Sequence, residues 1–282
     1  MIVVLCASIM WAVEPILAKL SYGSTDYLST FATRSIFCLL TISAYLFLTK
    51  CSPLSVERKY LPKLVYVSLA ATLFADLIYI YALTRVPVLN AVLIGHMQPV
   101  FIVVLGFFLL RQDRITRYDY FGMAFMILAG LLVTTRLPVN ALKLKFGTLG
   151  DLYVLLATVA WATTAIIARR YLRCLDAALI AFYRFLFATI IFLGYMLAFK
   201  GIHIANVYQI LIGIVIGAGT ILYYQGIRLI KAAQVSALEL STPFFATLLG
   251  FLVLGESVTL MQLTGIMFLL GGIYFLSRKE ES

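Results

Sequence analysis

Four titratable side chains, Glu14, Asp76, His96 and Glu239, lie inside long apolar stretches of this sequence. A charged side chain at the centre of a lipid bilayer costs at least about 2.5–3.5 kcal/mol, so such a group normally faces a cavity or a partner. A carboxylate in that environment can bind a cation, or it can take up and release a proton. These residues are therefore the first candidates for charge or proton chemistry inside a membrane.

Two of these acids have a structural alternative. Glu14 directly precedes Pro15, and its alternative role is an ion pair with Lys19 or Arg34 that is shielded from lipid. Asp76 either binds cargo or a proton, or makes a structural hydrogen bond to a neighbouring helix.

The other two groups each precede a proline within an apolar stretch. Glu239 lies one turn before Pro243, and His96 and Gln98 precede Pro99. A proline breaks the helix locally and frees backbone polar groups in the preceding turn, which can then coordinate a ligand. His96 is a potential proton switch. The alternative interpretation is an ordinary histidine that is hydrogen-bonded within an apolar helix.

The composition indicates an integral membrane protein. The 282 residues are 63% hydrophobic and 12% charged, with a mean hydropathy of +1.04. A soluble domain of this length cannot bury so many apolar side chains. The net charge of +10 comes without a basic helix or interleaved aromatic and basic residues, so nucleic acid is not an expected partner. The four cysteines are scattered, which indicates neither a disulfide framework nor a metal site.

Segments long enough to span a bilayer need about 20 mostly apolar residues. The sequence predicts ten of them, at about 2–20, 27–49, 64–84, 88–110, 120–136, 149–171, 176–199, 207–230, 234–254 and 259–276. If residue 1 is cytoplasmic, 14 of the 22 Lys and Arg residues fall on the cytoplasmic side and 6 on the other, while two lie within spans. The positive-inside rule then predicts that both termini are cytoplasmic.

The chain carries an internal repeat. An offset of 150 residues aligns Trp11 with Trp161, and an offset of 144 aligns Pro99 with Pro243. With five predicted spans in each half, the second half enters the membrane inverted, which is typical of secondary transporters. We therefore predict an all-α membrane protein with two inverted five-helix repeats, at 1–136 and 149–282, joined by a linker at 137–148.

The same alignment pairs two arginines within apolar stretches, Arg34 and Arg184. Each lies eight residues after an aspartate, Asp26 or Asp176. Their symmetry places them near opposite membrane faces and favours a structural role, such as pairing with helix-end carbonyls or holding a loop. Anion binding is the alternative.

Several motifs resemble the EamA-type branch of the drug/metabolite transporter superfamily. They are the Met10–Trp11 and Ala160–Trp161 pairs, the arginines in FATRSIF and AFYRFLF, the YAL at Tyr81–Leu83, and TPFFATLLGFLVLGE followed by LTGIMFLLGGIYF. In the first half, Arg111-Gln112 replaces the Gly255-Glu256 pair of the second. The resemblance implies secondary transport, often linked to protons, and a central cavity lined mainly by helices 1, 3, 4, 6, 8 and 9. The aromatic residues on those helices include Trp11, Trp161, Tyr81 and Tyr223, and with the acids they would favour a cationic or aromatic amine-bearing cargo.

The sequence thus predicts a proton-linked secondary transporter of a small metabolite, such as an amino acid or amine, in the cell membrane. Two alternatives stay open: an uncoupled facilitator, and a cargo-binding scaffold or receptor that does not transport. The chain has no nucleotide-binding loop and no protease, esterase or metalloenzyme motif, so we expect neither an enzyme nor a cofactor. The expected partners are the small-molecule substrate, membrane lipid and protons, and the expected state is a monomer or a homodimer.

Overall fold

The structure is a computed structural model, and it describes residues 2–49, 54–110, 117–135, 147–172, 174–201, 203–229, 239 and 241–277. All regular secondary structure in these residues is helical. We number the helices α1 (Ile2–Ser21), α2 (Tyr27–Thr49), α3 (Leu61–Ala82), α4 (Val88–Gly95 and Gln98–Leu110), α5 (Arg117–Thr135), α6 (Leu149–Tyr171), α7 (Ala177–Phe199), α8 (Val207–Leu229), α9 (Ser241–Leu254) and α10 (Leu260–Ser277).

Seven of these segments are long and apolar enough to cross a membrane: α1, α2, α3, the part of α4 from Val88 to Gly106, α6, α7 and α8. The described parts of α9 and α10 are shorter apolar helices. Large apolar side chains cover the outside of the bundle, and Phe47 and Phe199 are 84% and 78% exposed. Such surfaces are stable in lipid and unfavourable in water, so the chain is a multi-pass membrane protein.

The second helix of each half begins in the same way. The Asp26 carboxylate accepts a hydrogen bond from the Ser29 backbone N–H at 2.8 Å, and the Asp176 carboxylate accepts one from the Ala178 N–H at 2.9 Å. An aspartate at this place satisfies an N–H group that has no partner within the helix. The aligned aspartates of the two halves are therefore helix caps.

Two helices depart from regular α geometry. Residues Ser68–Asp76 of α3 form a π-helix, and α4 ends at Gly95 and resumes at Gln98. Pro99 then lies in the first turn of the new segment, where its missing N–H breaks no helical bond. Pro243 likewise lies in the first turn of the described part of α9, but residues 230–238 and 240 before it are outside the described residues.

Glycines bring pairs of helices into close contact. A Cβ atom on Gly213 of α8 would lie 2.6 Å from the Arg34 carbonyl oxygen of α2. A Cβ atom on Gly272 of α10 would lie 2.4 Å from the Met126 side chain of α5. Small residues at such crossings let the helix backbones approach one another within a membrane.

A carboxylate joins three helix ends at one end of the bundle. Glu256, just after α9, accepts two hydrogen bonds from the Val88 N–H at the start of α4, at 2.9 and 3.1 Å. The Lys19 ammonium near the end of α1 lies 2.8 Å from the same carboxylate. A negative charge at a helix N-terminus is stabilising, so Glu256 both caps α4 and links it to α1.

A second polar group lies near that end. The buried Asn90 side chain donates to Asp151 of α6 at 3.0 Å and accepts from Gln262 of α10 at 2.8 Å. Asp151 itself forms a capping box with Thr148 at the start of α6. Asn90 therefore ties α4 to two helices of the second half.

The observed helix bounds differ modestly from those expected. The third span was predicted at 64–84 and lies at Leu61–Ala82, because Pro62 fits the first turn of a helix and allows an earlier start. The fifth was predicted at 120–136 and lies at Arg117–Thr135. Residues 137–146 of the predicted linker lie outside the described residues, and the ten-span count stays a prediction.

Candidate functional site

Four charged side chains from four helices form one buried cluster. A guanidinium nitrogen of Arg34 on α2 lies 2.7 Å from Glu14 of α1 and 3.4 Å from Asp76 of α3. Arg184 of α7 reaches Asp76 from the other side, at 3.2 and 3.3 Å. The cluster holds two positive and two negative charges, so it is neutral when all four groups are ionised. We call these four residues the central ion cluster.

Asp76 lies at the middle of this cluster. It is 2% exposed, and in addition to the two arginines it accepts a hydrogen bond from the Trp161 indole N–H of α6 at 2.8 Å. Arg34 belongs to the first half of the chain, whereas Trp161 and Arg184 belong to the second. Asp76 is therefore bound by both halves, and its two alternative roles, ion binding and helix linkage, meet in one residue.

The π-helical part of α3 presents a polar stripe to α7. The Ser68 hydroxyl donates to the Arg184 carbonyl at 2.7 Å and accepts from the Ala188 N–H at 2.9 Å. The Thr72 hydroxyl accepts from the Arg184 Nε at 3.3 Å. Residues four apart drift by about 40° around a regular α-helix, and the wider π-helix reduces that drift, which keeps Ser68, Thr72 and Asp76 in line.

Sequence reasoning missed Ser68 and Thr72. The signal was the exact four-residue spacing of Ser68, Thr72 and Asp76 in an otherwise apolar segment. Such a stripe predicts a polar partner on the facing helix. Here that partner is Arg184.

The expected placement of Arg34 and Arg184 requires correction. The sequence alignment placed them near opposite membrane faces with helix-end carbonyls or a loop as partners, whereas both contact the same carboxylate. Each arginine lies seven residues after the first residue of its helix, which is about 10 Å along the axis. The midplane is about 15 Å from either edge of the hydrocarbon core. A long arginine side chain can span the remaining distance, so both guanidinium groups reach the same carboxylate near the midplane.

The accessibility of the cluster is uneven. Arg34 and Asp76 are 3% and 2% exposed, while the side chains of Glu14 and Arg184 are 11% and 18% exposed. Nε and Nη1 of Arg34 have no hydrogen-bond partner among the described residues. The cluster can therefore be approached through Glu14 and Arg184.

Aromatic rings flank the cluster. The Trp161 ring packs on Tyr79 with centroids 5.3 Å apart, and the Trp11 ring packs on Tyr223 at 4.7 Å. Trp161 also lies 3.8 Å from where a Cβ atom on Gly95 would be, next to the break in α4. The indole of Trp161 thus connects that break to Asp76.

Tyr81 lies in a separate aromatic group. Its ring packs on Tyr27 at 4.8 Å and on Tyr153 at 5.4 Å, and the Arg85 guanidinium lies 4.9 Å from its centroid. It is one turn beyond the central ion cluster on α3.

The groups next to the two prolines form a second polar site. The His96 Nδ1 lies 2.7 Å from the Val92 carbonyl oxygen, and the ring also interacts with the backbone of Glu239. Gln98 is the first residue of the resumed α4 and is half-buried. Within the described part of the chain, no group of three His, Cys, Asp or Glu side chains could hold a metal ion.

Known proteins resemble this chain along most of its length. An uncharacterized transporter from Synechocystis sp. is 28% identical over 208 residues, which cover 68% of this chain and 58% of that protein. One from Methanothermobacter thermautotrophicus is 26% identical over 215 residues, or 74% of this chain and 62% of that protein. Protein LicB from Haemophilus influenzae is 23% identical over 202 residues, or 69% and 68%. The matches thus span about three fifths of the first two relatives.

The fold also matches a solved crystal structure. That structure has a TM-score of 0.69 and 17% sequence identity, with 100% of this chain and 98% of the other covered; at this identity the likeness concerns the fold alone. The model of the EamA-like transporter family matches residues 1–135 and 148–278, which is nearly all of the chain. The chain therefore belongs to the EamA-like transporter family.

Proposed function

We propose that this protein is a secondary transporter that moves a small metabolite across the cell membrane by alternating access. In this proposal, residues 1–136 and 149–282 form two inverted halves of five membrane spans each, joined by 137–148, with both termini in the cytoplasm. The two stretches matched by the family model, 1–135 and 148–278, support this division.

The observation that carries the proposal is the central ion cluster. Transporters built from inverted repeats bind cargo near the midplane, where the halves meet. Asp76 accepts hydrogen bonds from Arg34 of one half and from Arg184 and Trp161 of the other. A shift of one half against the other would strain or break these bonds, so a ligand that alters the cluster would bias the two states.

Glu14 is the proposed coupling residue. It is the more accessible of the two carboxylates of the cluster, and among the described residues its ion pair is with Arg34, at 2.7 Å. Protonation of Glu14 would remove that ion pair and leave Arg34 held only by the longer, 3.4 Å contact to Asp76. A proton would thereby loosen α2 from α1 and favour a different arrangement of the helices.

The remaining site residues would shape the path of the cargo. Trp11, Trp161 and Tyr223 provide flat apolar surfaces beside the cluster. The His96 ring interacts with the backbone of Glu239 where α4 is broken, and broken helices of this kind bind cargo in inverted-repeat transporters. An amino acid or an amine offers groups that these side chains can bind.

One observation favours a second candidate, an uncoupled facilitator. The Arg34 guanidinium lies 2.7 Å from Glu14, and a Glu14 carboxylate that kept this ion pair throughout transport would carry no proton. The two candidates differ in whether cargo flux moves protons.

The test uses purified protein in liposomes that contain a pH-sensitive dye. The cargo panel consists of the proteinogenic amino acids and a set of aromatic and aliphatic amines, screened first by thermal stabilisation, since a ligand of the folded state raises the melting temperature. We expect flux of a stabilising compound to change the internal pH. Glu14→Gln should still bind it without the pH change, while the control Glu57→Gln, at an exposed loop position, should match wild type.

The outcomes separate the candidates. Flux with no pH change in wild-type vesicles would indicate the facilitator. Binding with no flux would indicate a receptor or scaffold, and would end the transport proposal. An unchanged pH response in Glu14→Gln would clear Glu14 of a coupling role.

A further inference from the structure

Arg34 is the least satisfied charged group in the described part of the protein. It is 3% exposed, and a single nitrogen, Nη2, serves both Glu14 and Asp76. Its Nε and Nη1 have no partner among the described residues. An unsatisfied buried donor costs about 1–3 kcal/mol, and more for a charged group, so these donors point to a ligand that the resting arrangement leaves out.

We propose that Arg34 is the binding site for a carboxylate group of the cargo, which replaces Glu14 on the guanidinium. This inference rests on the proposed function in one respect: it assumes that a transported molecule reaches the central ion cluster. It adds the chemical class of that molecule, which the family and the relatives leave open.

The geometry of the guanidinium supports a carboxylate. Glu14 uses only Nη2, at 2.7 Å, whereas a freely placed carboxylate binds two guanidinium nitrogens through its two oxygens. With Glu14 displaced, Nη1 and Nη2 present such an edge. Glu14 is also the more exposed member of the pair, so the exchange would take place at the accessible side of Arg34.

The charge of the cluster favours a binding group on the cargo that carries a single negative charge. Two arginines and two ionised carboxylates give zero net charge. Adding one carboxylate brings the cluster to −1, and protonating Glu14 returns it to zero, because the incoming anion and the proton carry opposite unit charges. A phosphate dianion with one proton would leave an uncompensated charge, which is costly in a buried site.

Several groups besides Arg34 act on the Glu14 carboxyl from the helices around it. They are Tyr22 just after α1, Cys38 on α2, Asp76 and Tyr79 on α3, and Arg184 on α7. Helix α8 also packs against α1 and carries Tyr223 and Tyr224, of which Tyr223 packs on Trp11 of α1. Of these, only Asp76 is another carboxyl, and it is held by two arginines and Trp161. Glu14 is therefore the group that would take the proton.

The experiment uses acetate, the smallest common carboxylate, as the probe, because it fits the site whatever the rest of the cargo is. Thermal unfolding of the full chain in detergent is followed with increasing sodium acetate, against sodium sulfate and methylammonium chloride at equal ionic strength, at an acidic and a neutral pH. We expect acetate alone to raise the melting temperature of wild type, and to do so at lower concentration in acid.

Three variants sharpen the test. Arg34→Lys keeps the charge but loses the two-nitrogen edge, so it should lose the acetate effect. Glu14→Gln removes the competing carboxylate, so it should bind acetate at least about tenfold more tightly, the change that 1.4 kcal/mol produces, and without dependence on pH. Arg58→Lys, at an exposed position outside the bundle, should behave as wild type.

A second readout keeps the proposal testable if Arg34→Lys does not fold. Acetate binding by wild type in weakly buffered dye solution should take up a proton, and Glu14→Gln should take up none. Three results would overturn the proposal: equal stabilisation by sulfate, no acetate effect in wild type, or weaker acetate binding in Glu14→Gln. The unpartnered Arg34 donors would then be bound by water and not by cargo. Flux with proton movement but no acetate effect would refute this site alone, while acetate binding without any flux would refute transport alone.

Discussion

The substitution Asp76→Asn tests whether the central ion cluster is held together by charge. Asn and Asp have nearly the same shape, so the packing around Asp76 should survive. The amide oxygen can still accept the Trp161 indole N–H, which is 2.8 Å from the carboxylate in the native protein. What the change removes is the negative charge shared by Arg34 and Arg184.

The expected loss is large because Asp76 is 2% exposed. Removing one partner of a buried ion pair costs about 3–5 kcal/mol, since the other charge is left buried without compensation. In this variant two arginines would share one carboxylate, Glu14, and the new amide N–H₂ would face guanidinium donors. A loss of that size lowers the folded-to-unfolded ratio by about two to four powers of ten.

Equilibrium unfolding in detergent micelles, followed by circular dichroism, measures this loss. Asp26→Asn is the matched control, because Asn also caps a helix and the half-exposed pair with Lys200 is worth at most about 1 kcal/mol. The double variant Asp76→Asn with Arg184→Gln restores neutrality, so it should lose less stability than the two single variants added together. If Asp76→Asn costs no more than Asp26→Asn, or if the double variant is additive, charge does not hold the cluster.

Two further predictions concern the scaffold. Glu256→Gln should lower the free energy of unfolding by about 1 kcal/mol, because it weakens the cap of α4 and the partly exposed ion pair with Lys19. It should also speed amide hydrogen exchange at the start of α4 near Val88, and unchanged exchange there would contradict the link between these helix ends. Gly272→Ala should destabilise by about 1–3 kcal/mol because its Cβ atom would lie 2.4 Å from the Met126 side chain, whereas Gly194→Ala, with nothing within 4 Å, should stabilise by about 0.4–1 kcal/mol. Thermal unfolding in detergent compares the two, and equal effects would contradict the packing argument.

The membrane class and the helices follow from the sequence for a simple reason. Lipid requires long apolar segments, and these are visible as uninterrupted runs. The break in α4 is also marked locally, because Pro99 cannot continue the preceding turn and the helix stops at Gly95. The family was predicted from short sequence motifs, and the match of the family model confirms that prediction.

The partners of the charged residues could not be derived in this way. Sequence spacing shows which face of a helix a residue occupies. It does not show at what distance from its end a helix crosses its neighbour. Arg34 and Arg184 were therefore placed near opposite faces, although both contact Asp76. The neighbours of Tyr81 were likewise not predicted: it packs with Tyr27 and Tyr153, one further turn along α3 from Asp76, and its role in lining a cavity stays a prediction.

In the central ion cluster, the arginines Arg34 and Arg184 are repeated in the two halves, whereas the acids Glu14 and Asp76 are not. The position that aligns with Glu14 is Thr164, whose hydroxyl donates to the Trp161 carbonyl of its own helix at 2.9 Å. Arg184 consequently has no carboxylate on α6 to match the Glu14 that serves Arg34, and it binds Asp76 instead. Within the central ion cluster, the two arginines thus meet at one carboxylate because Glu14 and Asp76 are not repeated.

This asymmetry predicts which contact yields when the cluster changes. Arg184 is held to α3 by both Asp76 oxygens and by Thr72, at 3.2 to 3.3 Å. Arg34 has a single 3.4 Å contact to Asp76. Since the Arg34 contact is the longer and the less supported, we expect α3 and α7 to move together and α2 to separate from them.

Spin-label distances test this prediction in a chain whose native cysteines have been replaced. Labels at Leu48 and Leu61 report on α2 and α3, and labels at Thr84 and Phe199 report on α3 and α7; all four positions are exposed. Saturating acetate at acidic pH should change the first distance and leave the second unchanged. If the second distance changes as much as the first, the hydrogen bonds from α3 to Arg184 do not hold these two helices as a unit.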